Sequence, residues 1–398
     1  MKKLSPTLYL EINNLNFSFF VSEIDEQDNF NIVFKTKVPI AGIENNRMFD
    51  FEKVFKEIKE NIYLIEKNLK YTFKEIVLIL GNFNLKFINF AGFKRLNGSQ
   101  LLRENITYIL NTLKSEVDII EDKNTILHIF NSKFCLDKKE NQNLPIGLFG
   151  DFYYHELSFV LINNNDYKNI LNIFEKCNLK LKKIISKSFI ENACISEKNK
   201  KINSFFQIKI NDKNSKIIYF ENDSLKFEQE FNFGNDIVIN DICKITSLNK
   251  TIIKNYLSQA ILKKNLSENE FIEENFFDKI NYRKIKKKLI YDIVDARIEE
   301  ISRKILSENI NLVNYANKVK VNFLSMCKES KLKCFKDLYA FHFSVNNFYN
   351  VETIESDSPE ELIKKTYEII HYGWKREAIP TTKAKKTAIA RFFDLLFN

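Results

Sequence analysis

The sequence has 398 residues, of which 44% are hydrophobic and 28% are charged, and its formal net charge at pH 7 is +9. This length and apolar content allow a large buried core and predict two to four domains. The chain opens without a charged and then apolar leader, and no apolar run reaches the roughly 18 residues of a membrane span. We therefore expect a cytosolic protein that is neither exported nor transmembrane.

The basic residues and the cysteines are dispersed. Only eight of the 61 basic residues are Arg, while Asn, Ile and Phe are abundant, so the positive charge is interpreted as the product of an AT-rich genome. A nucleic-acid-binding protein would concentrate Arg and aromatic residues on one element, and we expect no nucleic-acid partner. The six cysteines have no CxxC spacing and the four histidines are isolated, which favours reduced thiols and no metal site.

The chain begins with strands and one helix. Thr7–Ser22 and Phe30–Lys37 are rich in β-branched and aromatic residues and predict strands joined by a polar turn. Between Phe51 and Leu69 the apolar residues recur at helical spacing, and Glu75–Leu80 predicts a buried strand. This order indicates an α/β protein.

A segment with Pro and Gly follows, in a chain that is poor in both. Ile126–Asp137 (ILHIFNSKFCLD), Pro145–Gly150 (PIGLFG) and His155–Ile162 (HELSFVLI) come in this order. The Pro and Gly residues mark backbone positions that need special geometry. The three segments resemble consecutive motifs of the bacterial cell-division family FtsA. In that family they belong to an inserted domain that takes the place of the fourth subdomain of actin.

Further motifs extend the resemblance to the whole chain. They are Gly42-Ile43 with Asp50 and the helix to Leu69, Ile170–Lys183, Asn240-Asp241-Ile242, Leu289–Ile301 and the tail Lys383–Asn398. The resemblance implies an actin-like fold, which is a duplicated ribonuclease H-like α/β fold. It also implies a small inserted α+β domain of the SHS2-like type in the first half and a C-terminal amphipathic helix.

The predicted boundaries follow from these motifs and from the charged run Glu197–Asn203 between the halves. They place the first actin-like half at 1–81 and 164–200, the inserted domain at 82–163, the second half at 201–374 with a smaller subdomain at about 246–290, a flexible basic linker at 375–388 and the amphipathic helix at 389–398.

The resemblance also locates the nucleotide-binding loops of actin-like ATPases, and this chain departs from them. Such ATPases hold phosphates with backbone N–H groups of glycine-rich hairpins and position Mg²⁺ with Asp. The eroded positions are Glu11 and Asn13 in the first hairpin, Gln207 and Lys209 in the second, and Met326 in the adenosine loop. Lys209 or Lys213 could supply charge to a phosphate, but an ordinary solvated lysine is the favoured interpretation. We expect the implied cofactors ATP and Mg²⁺ to bind weakly or not at all, and we expect no catalysis.

The C-terminal segment predicts an amphipathic helix. One face would carry Ile389, Phe392, Phe393, Leu396 and Phe397, and the opposite side Lys385, Lys386 and Arg391. The residues before it are polar and basic and contain Pro380, which is typical of a loose tether. This combination favours an anchor on an anionic membrane surface, and the alternative is a helix docked on the protein's own core.

The resemblance implies a scaffold at the division site, on the cytoplasmic face of the inner membrane. It would tether FtsZ filaments there, recruit later divisome proteins and form a homopolymer. The family captures the acidic and apolar FtsZ tail beside a basic helix, which corresponds here to Arg283, Lys287 and Arg297. A solvated basic helix face is the alternative for these cations.

Two other functions stay open. One is an actin-like scaffold of the type IV pilus machinery, which the amphipathic tail disfavours. The other is an ATPase or sugar-kinase-like enzyme of the same superfold, which the missing glycines disfavour. Fold alone does not separate the three.

Overall fold

The structure, a computed structural model, describes residues 6–378 apart from 14, 28, 45, 82, 203, 261, 263–264, 266, 268, 278–281, 317, 327–331, 333 and 346–349. The chain forms two compact units: unit 1 runs to Cys194 and resumes at Pro359, and unit 2 is Ile195–Ser358. Within the described ranges, no helix has the length and apolar character of a membrane span. The predicted amphipathic helix at 389–398 and its eight membrane-binding residues lie outside the described residues.

The elements before the second half come in this order: β1 (Thr7–Ile12), β2 (Asn16–Ile24), β3 (Phe30–Pro39), β4 (Ile43–Glu44), β5 (Arg47–Met48), α1 (Phe51–Leu69), β6 (Glu75–Leu80), β7 (Leu85–Arg95), α2 (Arg103–Ile120), β8 (Asn124–Leu136), β9 (Lys139–Asn141), β10 (Phe152–Asn163), α3 (Asn164–Lys176), β11 (Lys180–Ser186) and α4 (Lys187–Lys198).

The elements of the second half and the end of the described chain are β12 (Ser204–Ile210), β13 (Ser215–Glu221), β14 (Ser224–Phe231), α5 (Asn235–Thr246), α6 (Lys250–Gln259), a 3-10 turn (Glu274–Phe276), α7 (Lys287–Ser302) with a π-helical turn (Arg303–Ser307), a second 3-10 turn (Ile310–Leu312), α8 (Val313–Ala316), β15 (Val321–Met326), α9 (Cys334–Val345), β16 (Asn350–Thr353) and α10 (Pro359–Tyr372).

The main sheet of unit 1 has the strand order β11-β6-β1-β2-β3. Strands β1, β2 and β3 form an antiparallel meander, and β1, β6 and β11 run parallel. Asp50 caps the N-terminus of helix α1, because its carboxylate accepts a hydrogen bond from the backbone N–H of Lys53. The helix buries Val54 and Ile58 against the sheet. Capping and the apolar face explain why this segment is helical.

The segment between β6 and α3 forms its own four-stranded antiparallel sheet in the order β7-β10-β8-β9, with α2 packed on β7 and β10. The turn that follows β9 carries the Pro145–Gly150 motif. Gly147 has a φ of +86°, and a Cβ on Gly150 would come within 2.7 Å of Leu136 Cδ1. These two glycines are needed for the turn, because a side chain would strain the first and collide at the second.

The sheet of unit 2 repeats the connectivity of the main sheet of unit 1. Its order is β14-β13-β12-β15-β16, with an antiparallel meander of β12, β13 and β14 and parallel pairing of β12, β15 and β16. Helices α5, α7 and α9 cover one face and share a core with Ile208 and Leu324. Two halves with the same strand order, the first interrupted by a small sheet, form the actin-like α/β fold that the sequence predicts.

The chain leaves α10 at Gly373, whose φ of +77° turns it back onto unit 1. Residues 375–378, which the sequence analysis assigned to the flexible linker, instead lie against β8, where Phe130 and Glu377 form an antiparallel bridge. Backbone hydrogen bonds and ion pairs hold these residues in place, so their packing does not require an apolar period in the sequence. They belong to the folded body, and the rest of the predicted linker lies outside the described residues.

Candidate functional site

The aligned nucleotide hairpins occupy equivalent turns in the two halves. The first lies between β1 and β2 of unit 1, and the second lies between β12 and β13 of unit 2. Each joins the first two strands of its meander, so the correspondence inferred from the sequence agrees with the topology.

Asn13 closes the first hairpin in place of a glycine. Its Oδ1 accepts hydrogen bonds from the backbone N–H groups of Leu15, at 3.0 Å, and Asn16, at 2.9 Å. An Asn side chain often stabilises a turn in this way. The backbone N–H groups of Asn13, Leu15 and Asn16 are therefore engaged within the turn itself.

The carboxylate of Glu11, two residues earlier on β1, is neutralised by a lysine. Lys187 Nζ at the start of α4 lies 2.6 Å from Glu11 Oε1, and the two side chains are 26% and 6% exposed. Burial lowers the pKa of Lys187, but Glu11 and Glu191 outweigh this effect and raise it. The lysine therefore stays charged and meets the carboxylate directly.

The second hairpin is also closed by its own side chains. Asn211 Nδ2 donates to Asn214 Oδ1 at 2.9 Å. The first amides of α5 point at the hairpin, because Asn235 N–H donates to Asn211 O at 3.0 Å and Asp236 N–H to Asp212 O at 2.8 Å. The helix N-terminus, which binds phosphate in many proteins, is thus capped by backbone carbonyls.

The other three eroded positions lie in the sheet of unit 2. Gln207 is 3% exposed on β12, and both Gln207 and Lys209 alternate with Ile208, on the face away from the large core. Met326 is the last residue of β15, and it faces the core instead. The rest of the predicted adenosine loop, from residue 327, lies outside the described residues.

The three cations predicted to bind FtsZ are not arranged as one patch. Arg283 lies in the irregular segment before α7, and Lys287 is the first residue of α7, with Nζ 2.5 Å from Glu273 Oε1. Arg297 lies ten residues further along the helix, which places it about 80° around the axis from Lys287. The proposed basic face therefore separates into two regions.

Arg297 lines an open groove between α5 and α7 with a volume of about 470 Å³. The groove combines apolar and charged residues: Asp241, Lys244, Ile245, Asp292, Ile293, Ala296, Arg297 and Glu300. Arg297 forms ion pairs with Asp241 and Glu300, both at 2.5 Å, and Ile245 is 59% exposed. A hydrogen bond from Lys304, with Arg297 nearby, holds the pKa of Glu300 below its usual range.

The groove has the chemistry of a peptide site. Apolar side chains and charged side chains of both signs, from two neighbouring helices, line it. Such a surface can bury a short apolar segment and orient its charged ends. Within the described part of the chain, no cluster of His, Cys, Asp and Glu has the arrangement of a metal site.

Curated relatives match the chain over almost its full length. "Cell division protein FtsA" of Buchnera aphidicola subsp. Acyrthosiphon pisum is 21% identical over 404 residues, covering 98% of this chain and 95% of the relative. The protein of the same name from the subspecies Schizaphis graminum is 20% identical, with coverages of 98% and 96%. The chain is FtsA-like.

Other comparisons agree with an FtsA-like chain of divergent sequence. "Cell division protein FtsA" of Escherichia coli K12 is 23% identical over 176 residues, or 44% of this chain and 41% of the relative. No protein-family model matches the chain. Among solved structures, a "PilM-PilN type IV pilus biogenesis complex" chain superposes with a TM-score of 0.53 at 12% identity, covering 92% of this chain and 95% of that chain. This likeness concerns the fold.

Several residues that line the groove were not predicted from the sequence. Asp241 belongs to the motif Asn240-Asp241-Ile242, but neither it nor Lys244, Ile245 or Ile293 was assigned to a site. An apolar residue on the exposed side of a helix, such as Ile245, was the available signal. Lys187 gave no local signal, because its partner Glu11 is 176 residues away.

Proposed function

We propose that the chain is a cell-division scaffold that tethers FtsZ filaments to the cytoplasmic face of the membrane. The observation that carries this proposal is the match to proteins named "Cell division protein FtsA" along 98% of the chain. The pilus-type alternative has support only from likeness of fold, which hosts many functions. The scaffold would also recruit later divisome proteins and assemble with further copies of itself at the division site.

The groove between α5 and α7 is the proposed site for the FtsZ tail. Ile245, Ile293 and Ala296 offer apolar surface, and Lys244 and Arg297 offer cations to an acidic peptide. Arg297 already has two carboxylate partners, so an incoming acid must share it with Asp241 and Glu300. Apolar contact then supplies most of the affinity, and we expect a modest dependence on salt.

Membrane attachment would come from the C-terminal segment. Its five apolar residues from Ile389 to Phe397 could enter the headgroup region, while Lys385, Lys386 and Arg391 would meet anionic lipid. Each cation near such a surface contributes about 1 kcal/mol, and the buried aromatic rings add to it. A scaffold of this kind needs two surfaces, one for the filament and one for the lipid.

Nucleotide hydrolysis is not part of the proposed function. In both hairpins the turn is closed by Asn side chains. Lys187 forms an ion pair with Glu11, the carboxylate that aligns with the Mg²⁺-positioning Asp of the family. Internal partners therefore replace the bonds that phosphate and Mg²⁺ would make. We propose that the scaffold acts without ATP turnover.

The decisive experiment is co-sedimentation with vesicles that contain anionic lipid, with and without FtsZ. The intact chain is expected to pellet and to carry FtsZ with it. Phe392→Glu combined with Phe393→Glu should leave both proteins in the supernatant. If this double variant pellets as the intact chain does, the tail is not the anchor.

A second pair of variants separates FtsZ binding from membrane binding. Ile245→Gln removes apolar area from the groove, whereas Ile310→Gln changes an isoleucine of unit 2 that is 83% exposed and does not line it. We expect Ile245→Gln to pellet with vesicles but to bind FtsZ roughly tenfold more weakly. Ile310→Gln should match the parent, and equal FtsZ affinity for the two variants would exclude the groove.

A further inference from the structure

Residues Trp374–Ala378, here called the strap, lie along the small sheet of unit 1 and pair with β8 through one isolated antiparallel bridge. Asn131 N–H donates to Arg376 O at 2.7 Å, and Ala378 N–H donates to Ile129 O at 2.7 Å. Strand β8 pairs with β10 along its other edge, where Phe130 faces Ser158. The strap therefore satisfies backbone groups of β8 that would otherwise form an open edge.

One buried carboxylate holds the strap in place. Glu377, whose side chain is 5% exposed, accepts hydrogen bonds from His128 Nδ1 at 3.0 Å and from Lys183 Nζ at 2.7 Å. His128 lies on β8 of the small sheet, and Lys183 lies on β11 of the main sheet. Ser186 N–H donates to His128 Nε2 at 3.2 Å, so the ring is neutral and carries its proton on Nδ1. Glu377 thus links both sheets of unit 1 to the strap.

Two contacts with aromatic rings also hold the strap on unit 1. Trp374 is 8% exposed and packs edge-on against Phe189, with ring centroids 5.8 Å apart. The Arg376 guanidinium lies over the ring of Phe134, at 4.7 Å from the centroid. Each side chain from Trp374 to Glu377 that points into unit 1 therefore has a specific partner.

The hold of the strap on unit 1 depends on its buried ion pair. A buried ion pair contributes little net stability, because desolvation offsets its attraction, but the loss of one partner is costly. The strap is short, and Gly373 precedes it with a φ of +77° and open space where a Cβ would lie. Rotation at this glycine can move the strap without disturbing α10, which ends at Tyr372.

We propose that the strap is a releasable latch that sets the point at which the C-terminal segment leaves unit 1. While Glu377 is paired, Ala378, the last described residue, is held at the edge of β8. Release uncovers that edge and adds the five strap residues, roughly 17 Å when extended, to the reach of the tail. The role of the latch rests on the proposed function, because the position at which the tail leaves unit 1 is important only if the tail is anchored to a membrane.

The chain reports on the latch itself, since Trp374 is its only tryptophan. The test compares Lys183→Met with Lys180→Met in the full chain, without vesicles or FtsZ. Both lysines lie on β11 and pair with a glutamate, but the Lys180 side chain is 78% exposed and the Lys183 side chain is 7% exposed. Trp374 emission and hydrogen exchange at the Asn131 amide are measured, with the Leu10 amide in β1 as the reference.

We expect Lys183→Met to shift the Trp374 emission to the red and to raise exchange at Asn131 by roughly 100-fold, while Leu10 stays protected. Lys180→Met should match the parent in all three measurements. If Lys183→Met does not fold, Glu377→Gln gives the same comparison, because it removes the charge and keeps a hydrogen-bond acceptor for His128.

Two outcomes would overturn the latch. Unchanged emission and exchange in Lys183→Met would make the strap a fixed part of the sheet, and a joint rise at Asn131 and Leu10 would show that it opens only when unit 1 unfolds. Since neither lipid nor FtsZ is present, both outcomes are independent of the tether. A chain that does not bind vesicles would disprove the tether and leave the latch measurable.

Discussion

Lys187 and Glu11 form a largely buried ion pair, with Nζ 2.6 Å from Oε1, at the turn where an actin-like ATPase would position Mg²⁺. The protein thus supplies its own cation to a carboxylate that the family resemblance assigns to metal chemistry. A contact between residues this far apart in sequence also ties α4 to β1.

We expect Lys187→Met to lower the free energy of unfolding by about 3 kcal/mol, because it leaves a buried carboxylate without its cation. Lys35→Met is the control. It breaks a pair of similar length, 2.8 Å, whose side chains are 67% and 43% exposed, and it should cost less than about 1 kcal/mol. Urea unfolding measures both values.

The double variant Glu11→Gln with Lys187→Met should recover much of this loss, because no uncompensated charge stays buried. Equal losses in Lys187→Met and Lys35→Met would mean that the Glu11 pair behaves as a surface pair, which would contradict the prediction.

Thermal unfolding should not respond to Mg-ATP. A ligand at about 1,000 times its Kd stabilises a folded protein by roughly 4 kcal/mol, so micromolar binding tested at a millimolar concentration would raise the Tm by several degrees. We expect no shift in the Tm, because the Asn13 and Asn211 side chains close the hairpins and Lys187 is paired with the carboxylate of Glu11. A reproducible rise in Tm with Mg-ATP, but not with Mg²⁺ alone, would refute this prediction.

Local features were predictable from the sequence, and contacts between distant residues were not. The Pro145–Gly150 motif was visible because the backbone itself requires Gly147. The hairpin at Asn13 was located only through the family resemblance, because the residue pattern predicts strand throughout Thr7–Ser22, whereas the structure divides this segment into β1 and β2. The actin-like fold followed from the order of such motifs. The groove needed two helices that pack together, with Arg297 reaching Asp241 at a separation of 56 residues.

The strap shows why the predicted start of the flexible linker, at residue 375, was wrong. Lys375–Ala378 has no apolar period, and period is what separates packed from unpacked segments in a sequence. Its order comes from Glu377, a charged residue that is buried only because His128 and Lys183 converge on it. Composition alone assigns such a residue to solvent.

Gly234→Ala should destabilise unit 2 by about 3 kcal/mol. A Cβ at this position would lie 2.1 Å from Asn211 O and 2.9 Å from Asp212 O, so the start of α5 would have to move away from the second hairpin. Gly98→Ala is the control. Gly98 has a φ of +79°, but its Cβ would meet only Asp151 Oδ1 at 4.0 Å, and the cost should stay near 1 kcal/mol.

Denaturant unfolding of the two variants gives the comparison. A difference of less than about 1 kcal/mol between them would show that the hairpin relaxes easily, which would contradict the close approach of helix and hairpin seen here.

His155 should make unit 1 less stable as the pH falls. This side chain is fully buried on β10, with Nε2 2.9 Å from Asn131 Oδ1, and burial, assisted by the charge of Arg376, lowers its pKa to about 4. In the unfolded chain a histidine titrates near 6.5. Between these values the unfolded state binds a proton that the folded state does not, so stability is complete above about pH 6.5 and declines as the pH falls towards 4.

The loss attributed to His155 amounts to about 3 kcal/mol, since each pKa unit corresponds to about 1.4 kcal/mol. His128 adds to the decline, because burial also lowers its pKa, and the contribution of His155 must therefore be taken as a difference between variants.

Unfolding free energies measured from pH 4 to 8 for the parent, His155→Gln and His371→Gln provide this difference. His155→Gln should have the shallowest slope. His371→Gln should flatten the slope less, because burial and Lys182 also lower the pKa of His371 but this side chain lies at an exposed position of α10. Parallel dependences of the unfolding free energy on pH for the parent and His155→Gln would mean that His155 gains access to water or to a partner when it is protonated. This result would contradict the prediction that His155 stays buried and neutral.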